Sequence, residues 1–243
     1  MSEYRYELTV DVHDLDFNGV ARGASLLRYM QSAAQSQLTE NGMSYDNLKS
    51  RNRAFIISRI RMEFTEPVRA YHKLTAISYP CESRGFSFLR CYRIEREGRT
   101  IGRAASVWAL LDTEKHALVR VDQFDLRLPA CAPPADLAVG HIRLPAEMRR
   151  VGNYKVRYCE VDQNRHMNNT AYLDLFAEYL PLDGKRIAAA TVSYLNEAPA
   201  GDLLTVECGC APNDLGEPIY FFRTTRSDGK INAEAEIELC PIN

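Results

Sequence analysis

Residues 162–172 read Asp-Gln-Asn-Arg-His-Met-Asn-Asn-Thr-Ala-Tyr. Asp162, Asn164 and His166 alternate, and in an extended segment a period of two puts their side chains on one face. Asn168 or Asn169 stands just before an apolar helical pattern that begins at Thr170, placed to cap it. The start of that helix would aim free backbone N–H groups at an incoming oxygen. A carboxylate, an amide, an imidazole and an oxyanion site so close together are the inventory of acyl transfer or hydrolysis. The plain alternative is a polar loop with an ordinary exposed histidine, and the alternating set before a helix argues against it.

The elements around this segment occur twice. Tyr154–Cys159 has the pattern of a strand, 160–169 is a polar loop, and Thr170–Leu180 places Tyr172, Leu173, Phe176, Tyr179 and Leu180 inward as a helix. Strands are expected at 187–195, 203–211, 219–226 and 231–239, with Asp228-Gly229 as a hairpin turn. The first half opens with a strand at Tyr4–Val12 and a polar loop at 13–19. A helix follows from about Ala24 to Glu40, with Leu26, Leu27, Met30, Ala33, Ala34 and Leu38 on one stripe. Asn41-Gly42 stops that helix. Strands are expected at 55–64, 73–80, 86–95 and 99–112.

Between the halves, Pro129 to Pro145 includes Pro133 and Pro134, which cannot continue a helix or a central strand. The expected organisation is a domain at 1–128, a linker at 129–148 and a second domain at 149–243. Asp16-Phe-Asn18 repeats as Asp162-Gln-Asn164, and the stretch from Pro67 to Leu74-Thr75 resembles that from Pro199 to Leu204-Thr205. Two matches in the same order point to a duplication. Strand, helix, then antiparallel strands is an α+β pattern in which each helix buries its stripe on a sheet face.

Composition bounds the rest. The 243 residues are 46% hydrophobic and 26% charged, a globular composition that excludes disorder. A net charge of −2 gives no argument for nucleic acid. Residues 1–128 carry 19 Lys+Arg against 16 Asp+Glu, too small an excess to define a partner. Seven cysteines, an odd number, without a secretory signal point to reduced thiols and a cytoplasmic setting. Cys208-Gly209-Cys210 has no second ligand pair nearby and reads as strand, so no metal site is expected. No stretch is long and apolar enough to span a membrane. Cys159 reads as a buried thiol at the end of an apolar strand, and His13, His72, His116 and His141 as surface or structural residues.

The segment Asp162-x-Asn164-x-His166-x-Asn168-Asn169, with Tyr172 following, resembles the active-site segment of the plant and bacterial acyl-acyl-carrier-protein thioesterases. The resemblance spans nearly the whole chain, including the Asp16-x-Asn18 loop and the strand Ser106-Val-Trp108-Ala-Leu-Leu-Asp112. It implies two tandem hot-dog domains, each an antiparallel sheet wrapped around a central helix. It implies hydrolysis of a fatty acyl thioester on acyl carrier protein, with no cofactor. Glu197 matches a further family carboxylate, and the next position, cysteine in many plant members, is Ala198 here. A cysteine nucleophile at that site is thereby excluded.

Asp162 and Glu197 are thus the candidates for base or nucleophile, and Asn164 and His166 for orientation and polarisation. Backbone N–H groups near Asn168 and Asn169 are candidates for the oxyanion. In the first half Val20 and Arg22 stand where His166 and Asn168 would repeat, and Pro67 lies near the place of Glu197. That half is expected to be catalytically silent and to supply the acyl pocket, with Asp16 a turn former. Arg51, Arg53, Arg59 and Arg61, and Arg149, Arg150, Lys155 and Arg157, read either as a basic rim for an acidic carrier or as solvated strand faces. An acyl-CoA thioesterase of the same fold and a non-catalytic acyl-binding module are the alternatives, and a monomer or a homodimer fits either.

Overall fold

The computed structural model describes residues 3–126 and 128–242. The first half runs β1 (Tyr4–Thr9), α1 (Gly23–Glu40), α2 (Tyr45–Ser50), β2 (Arg53–Phe64), β3 (Lys73–Pro80), β4 (Phe88–Arg96), β5 (Arg99–Asp112) and a short β6 (Ala117–Val119). The second runs β7 (Arg149–Lys155), α3 (Ala171–Ala177), β8 (Lys185–Tyr194), β9 (Leu203–Pro212), β10 (Pro218–Thr225) and β11 (Ile231–Pro241).

All eleven strands form one antiparallel sheet in the order β1-β3-β4-β5-β2-β8-β11-β10-β9-β7, with β6 beside β5. Read from either end, the order is the same: the outer strand, then the third, fourth and fifth strands of that half, then its second. The halves meet where β2 pairs antiparallel with β8, from Arg59↔Ser193 to Glu63↔Ala189. The duplication expected from two sequence matches is therefore present as a pseudo-twofold arrangement about that pairing.

Each helix turns its apolar stripe to the sheet. On α1, Leu26, Leu27, Met30, Ala33, Ala34 and Gln37 are buried. On α3, Tyr172, Leu173, Leu175 and Phe176 are buried, and Phe176 stacks on Phe222 of β10 with ring centroids 4.9 Å apart. Gly23 starts α1 against the other half. A Cβ there would lie 3.2 Å from Ile187 and 3.3 Å from Met62, tighter than ordinary contact, so the missing side chain sets the approach. One core, from Val10 to Ile237, runs through both halves.

Several expectations need correction. The strand expected at Tyr154–Cys159 ends at Lys155, and Tyr158–Glu160 forms a 3₁₀ turn. Cys159 on that turn is exposed, not buried, because no strand carries it into the core. The helix expected at Thr170–Leu180 is the shorter Ala171–Ala177. Pro181 follows closely, and a residue before proline is pushed out of helical conformation. The helix α2 and the strand β6 were invisible to periodicity because each is too short to show one. Residues 128–148 form no helix or strand, yet Leu137 and Cys131 pack on Cys81 and Cys91 across the outer face of β3 and β4.

Candidate active site

The Asp162–His166 segment is a tight turn, not an extended strand. Asp162 N–H donates to the His166 carbonyl at 2.9 Å, and Arg165 N–H donates to the Asp162 carbonyl at 2.9 Å. Val161 and Met167 bridge at its base. Arg165 takes φ 66°, which a reversal of this tightness demands of one residue. The expected alternation of side chains along a strand is thereby overturned. The turn still brings the three polar side chains to one cavity, because Asp162, Asn164 and His166 all line it.

The Asp162 carboxylate organises the turn. Its Oδ1 accepts from Asn164 N–H at 2.8 Å and from His166 N–H at 3.5 Å. Asp16 does the same in the first half, accepting from Asn18 N–H at 2.9 Å and Val20 N–H at 3.2 Å. Asp16 N–H donates to the Val20 carbonyl at 2.8 Å, Leu15 and Ala21 bridge, and Gly19 takes φ 71° where Arg165 stands. Further along, Ala21 N–H donates to the Val68 carbonyl as Met167 N–H donates to that of Ala198. This equivalence puts Pro67 at the position of Glu197. The two halves thus share one turn, and what differs is its cargo: His166, Asn168 and Glu197 in one, Val20, Arg22 and Pro67 in the other.

Glu197 lies in the loop beyond β8. Its Oε2 is 3.3 Å from His166 Nδ1, with side chains 62% and 33% exposed, so water reaches both. Asn164 Oδ1 accepts from the Tyr45 hydroxyl of α2 at 2.8 Å, which turns the amide nitrogen away from α2. Sequence reading missed Tyr45, because nothing in a six-residue helix foretells its partner 119 residues away. Asn168 Oδ1 accepts from Thr170 N–H at 3.0 Å and Oγ1 at 2.8 Å, capping the turn before α3. The backbone N–H of Asn168 is spent on the Glu160 carbonyl at 2.8 Å, so it is not free for an oxyanion as expected. The Asn169 carbonyl accepts from the hydroxyl of half-buried Tyr194 at 2.8 Å. Tyr172 Oη accepts from Asn232 at 2.9 Å, and burial pushes the phenol up to about 12.

Two cavities meet at this turn. The polar one, about 380 Å³, holds Asp162, His166, Asn169 and Glu197 and is walled by Phe55–Ile57 of β2 and Tyr194 of β8. The other, about 410 Å³, lies in the first half between α1, α2 and β2, β4 and β5. Leu38, Leu48, Phe55, Phe88, Leu89 and Trp108 line it, and Asn164 and Asn168 stand at its edge. Phe55 and Asn164 border both spaces, so a long apolar group in the larger would present its end to the turn.

Models of the acyl-ACP thioesterase N-terminal domain and C-terminal domain match residues 1–125 and 145–240. The chain belongs to the acyl-ACP thioesterase family. It is 23% identical over 238 residues to oleoyl-acyl carrier protein thioesterase 2 of Arabidopsis thaliana, covering 87% of this chain and 64% of that protein. A Coriandrum sativum oleoyl-acyl carrier protein thioesterase is 22% identical over 226 residues, covering 83% and 61%. The chain therefore spans just under two thirds of the length of these relatives. Among solved structures, an acyl-ACP thioesterase from Bacteroides thetaiotaomicron superposes with a TM-score of 0.87 at 18% identity, covering 98% of each chain. The 12:0-ACP thioesterase of Umbellularia californica does so at 0.82 and 14%, covering 99% and 98%. The fold is thus the tandem hot-dog of this family.

Other expectations fall out differently. In the first basic cluster Arg53 pairs with Asp112 at 2.8 Å, and Arg61 lies within 4 Å of Glu236 and Glu238. Arg59 donates to Ser193 at 3.1 Å. Arg53 also lines the larger cavity, and Arg51 is exposed. Among the described residues no group of three or more His, Cys, Asp or Glu could hold a metal, and no helix is long and apolar enough to cross a membrane.

Proposed function

We propose that the protein hydrolyses the thioester of a fatty acyl chain carried on acyl carrier protein, releasing the free fatty acid and the carrier thiol. The observation that carries this reading is the cavity of the first half ending at the turn where His166 meets Glu197. The names of the plant relatives support the carrier as substrate. We assign the acyl pocket to residues 1–128, the chemistry to 149–243 and the connection to 129–148.

The chemistry follows from the contrast between the halves. A carboxylate that holds the same turn in both is a positioning group, so Asp162 orients Asn164 and His166. The residues present only in the second half do the rest. Glu197 fixes the His166 ring, and that pair takes a proton from a water as its oxygen bonds to the acyl carbon. Asn164 Nδ2 donates to the carbonyl oxygen as charge develops there, with Tyr45 holding the amide orientation. The C–S bond then breaks and the proton passes from the pair to the leaving sulfur. The free acid and the carrier thiol are the products, and no co-reactant beyond water is consumed. β2–β8 pairing lies within one chain, so a single chain carries the complete site. All seven cysteines are free thiols, which suits a reducing compartment, and we place the reaction in the cytoplasm.

The test is thiol release from acyl carrier proteins loaded with C8 to C18 chains, with matched acyl-CoAs alongside. Turnover of the carrier thioesters that disappears in His166→Ala supports the proposal. Equal or better turnover of acyl-CoA moves the substrate. Binding of acyl chains by folded protein without any turnover overturns the hydrolase reading in favour of a binding module.

A further inference from the structure

Of the three arginines that line the larger cavity, Arg28, Arg53 and Arg90, only Arg90 is buried. Arg90, on β4 beneath α1, is only 7% exposed and lines that cavity. Its Nη1 donates to Gln37 Oε1 at 2.6 Å and to Ser78 Oγ at 2.8 Å. Both partners are neutral, and no carboxylate among the described residues pairs with it. Its Nε and Nη2 make no hydrogen bond among the described residues. Gln31, on α1, lines the same wall, and its buried Nε2 also lacks an acceptor. Burial pushes the Arg90 guanidinium below its usual range, the mark of a cation without an anion to offset its desolvation. A buried amide nitrogen without an acceptor, beside a cation with spare donors and no paired carboxylate, is costly unless a group entering the cavity accepts from them.

We propose that this cavity selects acyl chains carrying an oxygen acceptor, a hydroxyl, oxo or carboxylate group, in their distal portion, bound by Arg90 and Gln31. The distal position follows from the sheet. Arg90 pairs with Ser106 on β5, which pairs with Ile60 on β2. Two strand spacings thus separate Arg90 from the strand whose Phe55–Ile57 wall the reacting turn, about 10 Å. An acceptor beside the thioester would not reach it. The inference deepens the proposed function by naming its substrate class, and it rests on that reading for the entry of the chain but not for its binding.

The experiment uses two readouts on the full chain. Acyl pantetheine amides, in which nitrogen replaces the thioester sulfur, are titrated calorimetrically in a C8 to C16 series with plain, terminal hydroxyl and terminal carboxyl ends. The same chains on acyl carrier protein are assayed for turnover. At the best length an oxygenated chain is expected to bind at least tenfold more tightly than the plain one and to show a matching ratio in kcat/KM. Arg90→Met is expected to abolish that ratio and Gln31→Leu to reduce it. Should Arg90→Met fail to fold, the wild-type ratio and Gln31→Leu decide. Plain chains bound as well as oxygenated ones at every length overturn the inference, as does a ratio that both variants leave unchanged. An oxygenated preference in binding without turnover of any thioester would strike the hydrolase reading and leave this one. Turnover without the preference would do the reverse.

Discussion

The Tyr45 hydroxyl of the first half donates to Asn164 Oδ1 of the second at 2.8 Å. This contact joins the wall of the first-half cavity to the turn that holds the candidate chemistry, and with Asp162 Oδ2, which accepts from Asn164 Nδ2 at 3.4 Å, it sets which way the amide faces. Tyr45→Phe removes the donor and keeps the ring. A hydrogen bond of this kind is worth about 1 kcal/mol. The variant is expected to lose roughly five- to tenfold in kcat with a Tm close to wild type. An unchanged kcat would mean the amide orientation is set elsewhere.

His166 and Glu197 act as a unit in the proposed mechanism. His166→Ala and Glu197→Gln should each lower kcat by about 10²–10⁴, the range for a positioned acid–base group. The double variant should be scarcely worse than the poorer single one, because groups acting together are not additive. Steady-state kinetics on one carrier thioester settles this. Fully additive losses would show that the two residues serve separate steps.

Asp162 can be separated from a nucleophile by one isostere. Asp162→Asn keeps the Oδ1 that accepts from Asn164 and His166 N–H groups. A positioning role predicts a loss within about tenfold, near the worth of a hydrogen bond. A loss above a thousandfold, with the circular dichroism spectrum and Tm intact, would make the carboxylate itself the attacking group. Asp16→Asn, at the equivalent turn, should leave kcat unaltered.

Chain length should follow the volume of the first-half cavity. Ala34, on α1, is 6% exposed and lines it. Ala34→Phe fills the proposed acyl pocket, and overpacking of this kind costs about 1–3 kcal/mol of stability. The kcat/KM profile across the C8 to C18 ladder should move to shorter chains. A uniform fall at all lengths would place the acyl chain outside this cavity.

Burial holds the Tyr172 phenol up to about 12, against an unfolded value near 10. The folded state therefore keeps its proton where the unfolded state has lost it. Stability from this group is fully present below pH 10 and falls as pH rises from 10 toward 12. The urea midpoint is expected to decline over that window, and Tyr172→Phe to decline less steeply. Identical slopes for the two proteins would remove Tyr172 from the account.

The sequence alone determined the α+β class, the doubled order of elements and the cluster from Asp162 to Asn169, because each is written locally. Apolar stripes repeat at helical spacing along α1, β-rich runs alternate and end at Glu97-Gly98 and Asp228-Gly229, and polar residues crowd into one loop. The same local reading put Asp162, Asn164 and His166 on one face only if their loop is extended, since a one-dimensional pattern does not show that Arg165 turns back at φ 66°. Only the tertiary structure decided that β2 and β8 fuse two halves into one sheet, because edge pairing joins residues as distant in sequence as Arg59 and Ser193. It also decided that Asp162 and Asp16 do the same work, and that Tyr45, Glu197 and the cavity of the first half converge on one turn. Those are relations across space between segments whose own sequences satisfy their local structure equally well without them, so no reading along the chain contains them.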